Sequence, residues 1–225
     1  MPARTVPKNY RNVTGRVYNS RTRASSAFES TLERDYFLLL DFDPTVEYYE
    51  EQPVTIKYRD SSDALHRYTP DVFIRYCNTA DHVPPPRSVL AEVKYRDDLR
   101  QNWIEYKTRF KAARRYARER DWCFRLMTER EIRTPFLENV KFLRQYRELA
   151  VDTEHQRVLL QILAQQRVMD VDGLLKEMTA ERWQQAQLLP VLWHLVAHRR
   201  IVVNLQQRLT RRSCLWLPDS GPHRL

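Results

Sequence analysis

The 225 residues are 42% hydrophobic and 11% aromatic, which leaves room for a sizeable core and two small domains and excludes a disordered chain. A formal net charge of +9 favours a polyanionic partner, nucleic acid ahead of an anionic membrane surface. No apolar run approaches the ~18 residues that span a bilayer, and the first 25 residues are polar and basic, so neither a membrane span nor a secretory leader is expected and the expected compartment is the cytoplasm.

In chain order, Arg4, Lys8, Arg11, Arg16, Arg21 and Arg23 punctuate residues 1–28, which hold no acid. Residues 1–25 are expected to form a basic arm that orders on a phosphate backbone or serves as a solubilising tail. The pattern Ser26-x-x-Glu29 is a capping box, and Phe28, Leu32, Tyr36, Leu39 and Leu40 then recur at helical spacing. That helix stops before Asp43-Pro44, because the residue preceding a proline is driven out of the α region. Strands are expected over 46–49, 54–58, 71–76 and 88–94. The span 103–118 predicts a helix with Trp103, Tyr106, Phe110, Ala113 and Ala117 on its packed side and Lys107, Lys111, Arg114, Arg115 and Arg118 on the other. A buried strand over 122–127 and a helix over 136–149 follow.

A boundary is expected near Ala150-Val151-Asp152, separating a 26–150 domain from a 151–225 domain. Beyond it come helices over 154–165, 171–178 and 181–198 and a β-like pair at 201–205 and 214–217. Arg208, Arg211 and Arg212 lie between those last two strands. Three helices closed by a basic hairpin predict a winged-helix-like domain.

The chemistry is concentrated in two strands. Asp71 follows Pro70 and leads into an apolar run; 21 residues later Glu92-Val93-Lys94 closes a second one. Residues i and i+2 of a strand share a face, so Glu92 and Lys94 point the same way. Buried charge is costly unless paired or metal-bound, and two carboxylates with the Val93 carbonyl are a hard-oxygen set suited to Mg²⁺. Alone, Asp71 reads as a turn cap before it reads as a metal ligand, and the Glu-x-Lys triplet reads also as a solvated ion pair. Glu33 is either the acid of a Ser30-x-x-Glu33 cap or a third carboxylate at the metal. His194 and His198, one helical turn apart, lack the glutamate of a zinc protease motif and are expected to be packed or surface histidines. Cys77, Cys123 and Cys214 have no zinc or disulfide spacing and are expected to be buried thiols. There is no phosphate-binding glycine loop.

These motifs carry a resemblance. A helix glutamate, a strand with Pro-Asp and a strand with Glu-x-Lys resemble the PD-(D/E)xK nuclease superfamily. More closely, Leu32-Glu33-Arg34-Asp35, Phe42-Asp43-Pro44-Thr45-Val46, Glu51-Gln52-Pro53, Tyr68-Thr69-Pro70-Asp71, Glu92-Val93-Lys94 and Thr128-Glu129-Arg130-Glu131-Ile132 resemble TnsA, the endonuclease family of heteromeric Tn-seven-type transposases, including CRISPR-associated ones. The resemblance runs over roughly residues 20–135, the 151–225 domain fitting in layout alone. It implies an α/β restriction-endonuclease-like core, a mixed sheet flanked by helices, and catalytic residues Glu33, Asp71, Glu92 and Lys94. It further implies Mg²⁺, with Mn²⁺ as substitute, on the three acids and the Val93 carbonyl, and Gln52 in support. Double-stranded transposon-end DNA, a TnsB-like transposase and a TnsC-like AAA+ ATPase are the implied partners, with no membrane involved.

The expected function is therefore Mg²⁺-dependent cleavage of the 5′ strands at transposon ends. Phosphate contacts are expected from Arg11, Arg16, Arg21 and Arg23 of the arm, from Lys107, Lys111, Arg114 and Arg118, and from Arg208, Arg211 and Arg212. The alternatives are a stand-alone restriction-type or junction-resolving nuclease, which cuts without partners, and a non-catalytic DNA-binding adaptor.

Overall fold

The computed structural model describes residues 13–19, 24–78 and 86–218 and divides the chain into two compact units, Met1–Arg133 and Thr134–Leu225.

The first unit is built on strands β3 (Val46–Glu51), β6 (Val72–Tyr76), β7 (Val89–Val93) and β8 (Cys123–Met127), in the spatial order β3-β6-β7-β8. The pairs β3–β6 and β6–β7 are antiparallel and β7–β8 is parallel. A parallel pair needs a crossover, which helices α2 (Arg96–Gln101) and α3 (Trp103–Arg118) supply. Every residue of β7 is buried, as its near-continuous apolar run demands. On one face Phe73, Leu90, Tyr106, Phe110 and Ala113 form a core with α3. Helix α1 (Thr31–Phe42) packs on the opposite face, where Phe37 stacks on Tyr49 with centroids 5.7 Å apart. Strands β4 (Ile56–Arg59) and β5 (Leu65–Tyr68) pair with each other as a separate hairpin.

Several expectations are corrected here. Residues 24–28 form strand β2 (Ala24–Phe28), paired with β1 (Gly15–Asn19), so Ser26 and Phe28 precede the helix rather than begin it. Ser30 caps α1 instead, its hydroxyl oxygen accepting from Glu33 N–H at 3.1 Å. The expected arm is thus partly a hairpin, and Phe28 lies so close to Gly15 that an added Cβ there would meet its ring at 2.6 Å. Arg11, Arg21 and Arg23 lie outside the described residues. β5 and α2 were not foreseen. Trp103, expected on the packed side of α3, is 45% exposed. Nor are the cysteines buried: Cys77 and Cys123 are half-buried and Cys214 is exposed.

The second unit contains α5 (Pro135–Arg144), α6 (Thr153–Gln166), β9 (Val168–Asp170), α7 (Val171–Met178), α8 (Arg182–Ala197), β10 (Val202–Val203) and β11 (Cys214–Trp216), with the short helix α4 (Glu129–Ile132) closing the first unit. After α5 the order is helix–strand–helix–helix–strand–strand, with an antiparallel sheet β10-β11-β9, a winged-helix arrangement. The division falls at 133/134 rather than near 150 because α5 belongs to this unit. Phe142 packs edge-on against Trp193 at 5.4 Å, and the Asn139 amide donates to Leu205 O and Gln207 O at 2.9 and 2.7 Å. His194 and His198 hydrogen-bond the carbonyls of Tyr146 and Arg147 just beyond α5. His194 is half-buried and His198 exposed, as expected of packed or surface histidines, and both act as structural ties.

Among the described residues no helix is long and apolar enough to cross a membrane.

Candidate active site

The first unit brings Asp71, Glu92 and Lys94 to one point. Val72 pairs with Ala91, so Asp71 and Glu92 lie next to one another at the ends of β6 and β7. Asp71 Oδ2 accepts the Val93 N–H at 2.7 Å, which pins the carboxylate across the strands. The Lys94 ammonium lies 3.1 Å from Glu92 Oε1 and 3.5 Å from Asp71 Oδ2, and it donates to the Val93 carbonyl at 3.2 Å. Lys94 N–H continues the parallel ladder to Met127 O at 3.0 Å, so the lysine backbone is fixed although it lies one residue past β7.

Glu92 is 2% exposed, and the structure surrounds it with two groups that were not anticipated. The Tyr68 hydroxyl donates to Glu92 Oε2 at 2.6 Å, and Arg109 Nη2 lies 3.9 Å from Oε1. The Arg109 guanidinium stacks 4.0 Å over the Tyr106 ring and lies 5.5–5.6 Å from Tyr68 and Phe110. Its Nε is buried without a hydrogen-bond partner among the described residues. The sequence signal for Arg109 was its position three residues after Tyr106 and one before Phe110, on the packed side of a helix otherwise basic outward. Tyr68 gave no such signal, because its acceptor is 24 residues away.

Glu33 is close enough to feel the cluster but is engaged as a cap. Its carboxylate accepts from the Glu29 N–H and the Ser30 hydroxyl, both at 2.9 Å. Burial, then the charge of Asp71, raises its pKa, against those hydrogen bonds and Lys94. The contacts Glu33 makes are those of the cap, and the cluster reaches it through the charges of Asp71 and Lys94. Glu29, expected to cap Ser26, instead accepts from the Gln52 side chain at 2.9 Å. Gln52 sits at φ 47°, a left-handed conformation a non-glycine residue holds at a cost. That conformation aims its N–H at the Asp71 carbonyl, 2.9 Å away.

The electrostatics follow from crowding acids in a dry place. Burial, then the Glu92 charge, pushes Asp71 up to about 6, with Lys94 and the Val93 N–H working in opposition. Burial works against the Lys94 charge, yet Asp71 and Glu92 raise its pKa overall. Burial and Glu92 together hold the Tyr68 phenol far above its ordinary value, so it remains a donor.

No three Asp, Glu, His or Cys side chains among the described residues form a ready-made metal cage. What the site does have is a stand-in cation: one ammonium touching Asp71 Oδ2, Glu92 Oε1 and the Val93 carbonyl. Those three oxygens are hard donors converging on positive charge, with a net excess of carboxylate in a buried setting, and so they fit a divalent ion of the Mg²⁺ type.

The candidate DNA contacts fare unevenly. Lys107, Lys111, Arg114 and Arg118 are all exposed, and none is ion-paired with an acid among the described residues. Their i, i+4, i+7, i+11 spacing sets them on one line about 16 Å long. Arg16 instead donates to Ser25 O across its hairpin at 3.1 Å. In the wing, Arg208 and Arg212 line a cavity of about 350 Å³ with Asn204 and Gln207. Arg211 is paired with Asp172 at 3.0 Å.

With this geometry in view, the comparisons agree with it. Residues 43–129 match the family described as TnsA-like endonuclease N terminal. Residues 131–205 match the family described as TnsA endonuclease C terminal. Among curated proteins the sequence finds no match. The two matched segments meet within four residues of the structural division and together cover most of the chain, which therefore belongs to the TnsA endonuclease family of DNA transposition.

Proposed function

We propose that this chain cleaves the 5′ strands at transposon ends by divalent-cation-dependent hydrolysis, acting beside a TnsB-like transposase and a TnsC-like ATPase. The observation that supports this most is the convergence of Asp71 Oδ2, Glu92 Oε1 and the Val93 carbonyl on one positive group. Those atoms, with Glu33, would hold Mg²⁺, or Mn²⁺ in its place. When bound, such an ion neutralises phosphate charge and sharpens a water nucleophile.

The chain's own residues do the rest. Lys94 carries a positive charge kept on by its two acids, positioned to orient a water and to stabilise charge developing on phosphate oxygen. Water oxygen bonds to phosphorus as the bond to the 3′ oxygen breaks; that oxygen takes a proton, leaving a 3′-hydroxyl and a 5′-phosphate. Tyr68 and Arg109 hold Glu92 oriented. Gln52, through the Asp71 carbonyl, holds the start of β6. The line of four cations on α3 is fitted to phosphates of duplex DNA, and Arg208 and Arg212 offer a second basic patch in the winged-helix unit.

Asp71→Ala and Lys94→Ala, assayed with the partner transposase and transposon-end DNA, should abolish 5′-strand nicking while 3′-strand processing persists. Persistent 5′ nicking in both variants would remove the site assignment. Cleavage by the wild-type chain alone would favour the stand-alone nuclease.

A further inference from the structure

Beside the acid cluster lies a second feature that phosphodiester hydrolysis does not use. A cavity of about 520 Å³ is lined by Arg96, Leu99, Arg100, Trp103, Leu126 and Thr128. Three relations tie it to the site. Leu126 is the register partner of Glu92 in the parallel ladder, so both project from the same sheet face on neighbouring strands about 4.8 Å apart. Arg96 is two residues past Lys94, within about 7 Å along the backbone. Thr128 follows Met127, whose carbonyl receives the Lys94 N–H.

The lining chemistry is specific. Leu99 and Leu126 give an apolar wall packed on the Tyr106–Phe110 core. Trp103 leaves nearly half of its surface open although it contacts Phe110 at 6.2 Å. Arg96 and Arg100 are the only charges in the lining, and both are positive. Arg100 is paired with Asp97 at 3.3 Å, but both are exposed, so the pair is worth little and is readily exchanged for phosphate. An aromatic face with an apolar wall and two cations matches a nucleobase and its flanking phosphates, since base–aromatic stacking needs a π face and not a hydrogen-bond code.

Resting on the nuclease reading, we infer that this cavity receives an unstacked base of the DNA strand, about one or two nucleotides from the phosphate held at Asp71, Glu92 and Lys94. The base lies against the Trp103 indole, and Arg96 and Arg100 take the adjoining phosphates. A fully paired duplex cannot fill the cavity without opening a step, so the site favours frayed, mismatched or single-stranded DNA at the cut.

The test uses the full chain in EDTA, so that no chemistry intervenes, with fluorescence anisotropy of a short labelled oligothymidylate and of an abasic strand of equal length. The wild-type chain should bind the oligothymidylate roughly 5- to 150-fold more tightly than the abasic strand. Trp103→Ala should erase that ratio and Trp103→Phe should keep most of it, with circular dichroism melts checking the fold. Equal affinity of the wild-type chain for the two strands overturns the inference without recourse to any variant. So does an acidic peptide of alternating Asp and Leu that binds the wild-type chain, fails on Trp103→Ala and leaves the strand ratio unchanged; the cavity would then dock protein. Because Asp71→Ala should nick no DNA yet retain the strand ratio, failure of the hydrolysis reading and failure of this one are told apart.

Discussion

Asp71→Asn should make this protein more stable and less active, and the gain should depend on pH in a calculable way. The folded-state pKa of Asp71 is about 6 against an ordinary 3.8, raised first by burial and then by Glu92. A carboxyl raised on folding contributes its full stability below the unfolded value and loses it as pH climbs through the folded value. The ionised form therefore costs about 3 kcal/mol at pH 8 and less than about 1 kcal/mol at pH 4, from a pKa raised by about two on folding. Asparagine resembles the neutral acid and can still accept the Val93 N–H, so it escapes that cost. At about 2–4 °C per kcal/mol, thermal unfolding in EDTA should shift upward by roughly 6–12 °C at pH 8 and by 1–2 °C at pH 4. Adding Mg²⁺ should stabilise the wild-type chain and leave the variant nearly unmoved, since a ligand stabilises only the state that binds it. An equal shift at both pH values, or a loss at pH 8, would refute the reasoning that burial, with Glu92 beside it, is the origin of the raised pKa.

Tyr68→Phe removes the only hydroxyl bonded to Glu92 Oε2 among the described contacts and leaves a buried charged acceptor short of a donor. Urea unfolding should show a loss of about 1.5–3 kcal/mol, with slower cleavage, and unchanged values for both would release Tyr68 from its proposed role. Changing Lys107, Lys111, Arg114 and Arg118 together to Gln should flatten the dependence of log affinity for duplex DNA on log salt by about 3.6, at about 0.9 per lost phosphate contact. An unaltered salt slope would show that α3 does not touch the duplex. Gln52→Val should be less stable than Gln52→Gly by more than about 1 kcal/mol in thermal melts, because a β-branched residue tolerates φ 47° poorly.

What the sequence disclosed was governed by how local the deciding forces are. The span of α3 is set by Tyr106, Phe110, Ala113 and Ala117, whose spacing is a property of one segment, and it falls where periodicity puts it. The Glu92–Lys94 pairing likewise follows from strand alternation within three residues. The β1–β2 hairpin was hidden because Ala24–Phe28 is rich in small polar residues and Ser26-x-x-Glu29 mimics a helix start. Only the long-range partners of Ser26, such as Asn19 at 3.4 Å, decide against the helix. Trp103 counts as a packed residue by spacing, yet α2 and α3 open a cavity in front of it. Asp152, which caps α6, made position 150 look like a boundary, whereas the division at Arg133–Thr134 depends on contacts α5 makes some fifty residues later, such as Phe142 against Trp193.

That placement of α5 bears on how the chain can be cut. Leu137, Val140 and Leu143 are almost wholly buried by the second unit's own packing. A nuclease fragment ended at 150 would carry this apolar helix stripped of its cover, an aggregation liability with no role in catalysis. One ended at Arg133 would keep the guanidinium that clasps Asp35 at 3.1 Å and close on its own last ion pair. Limited proteolysis should find its most productive nick in the Arg133–Pro135 link, between α4 and α5.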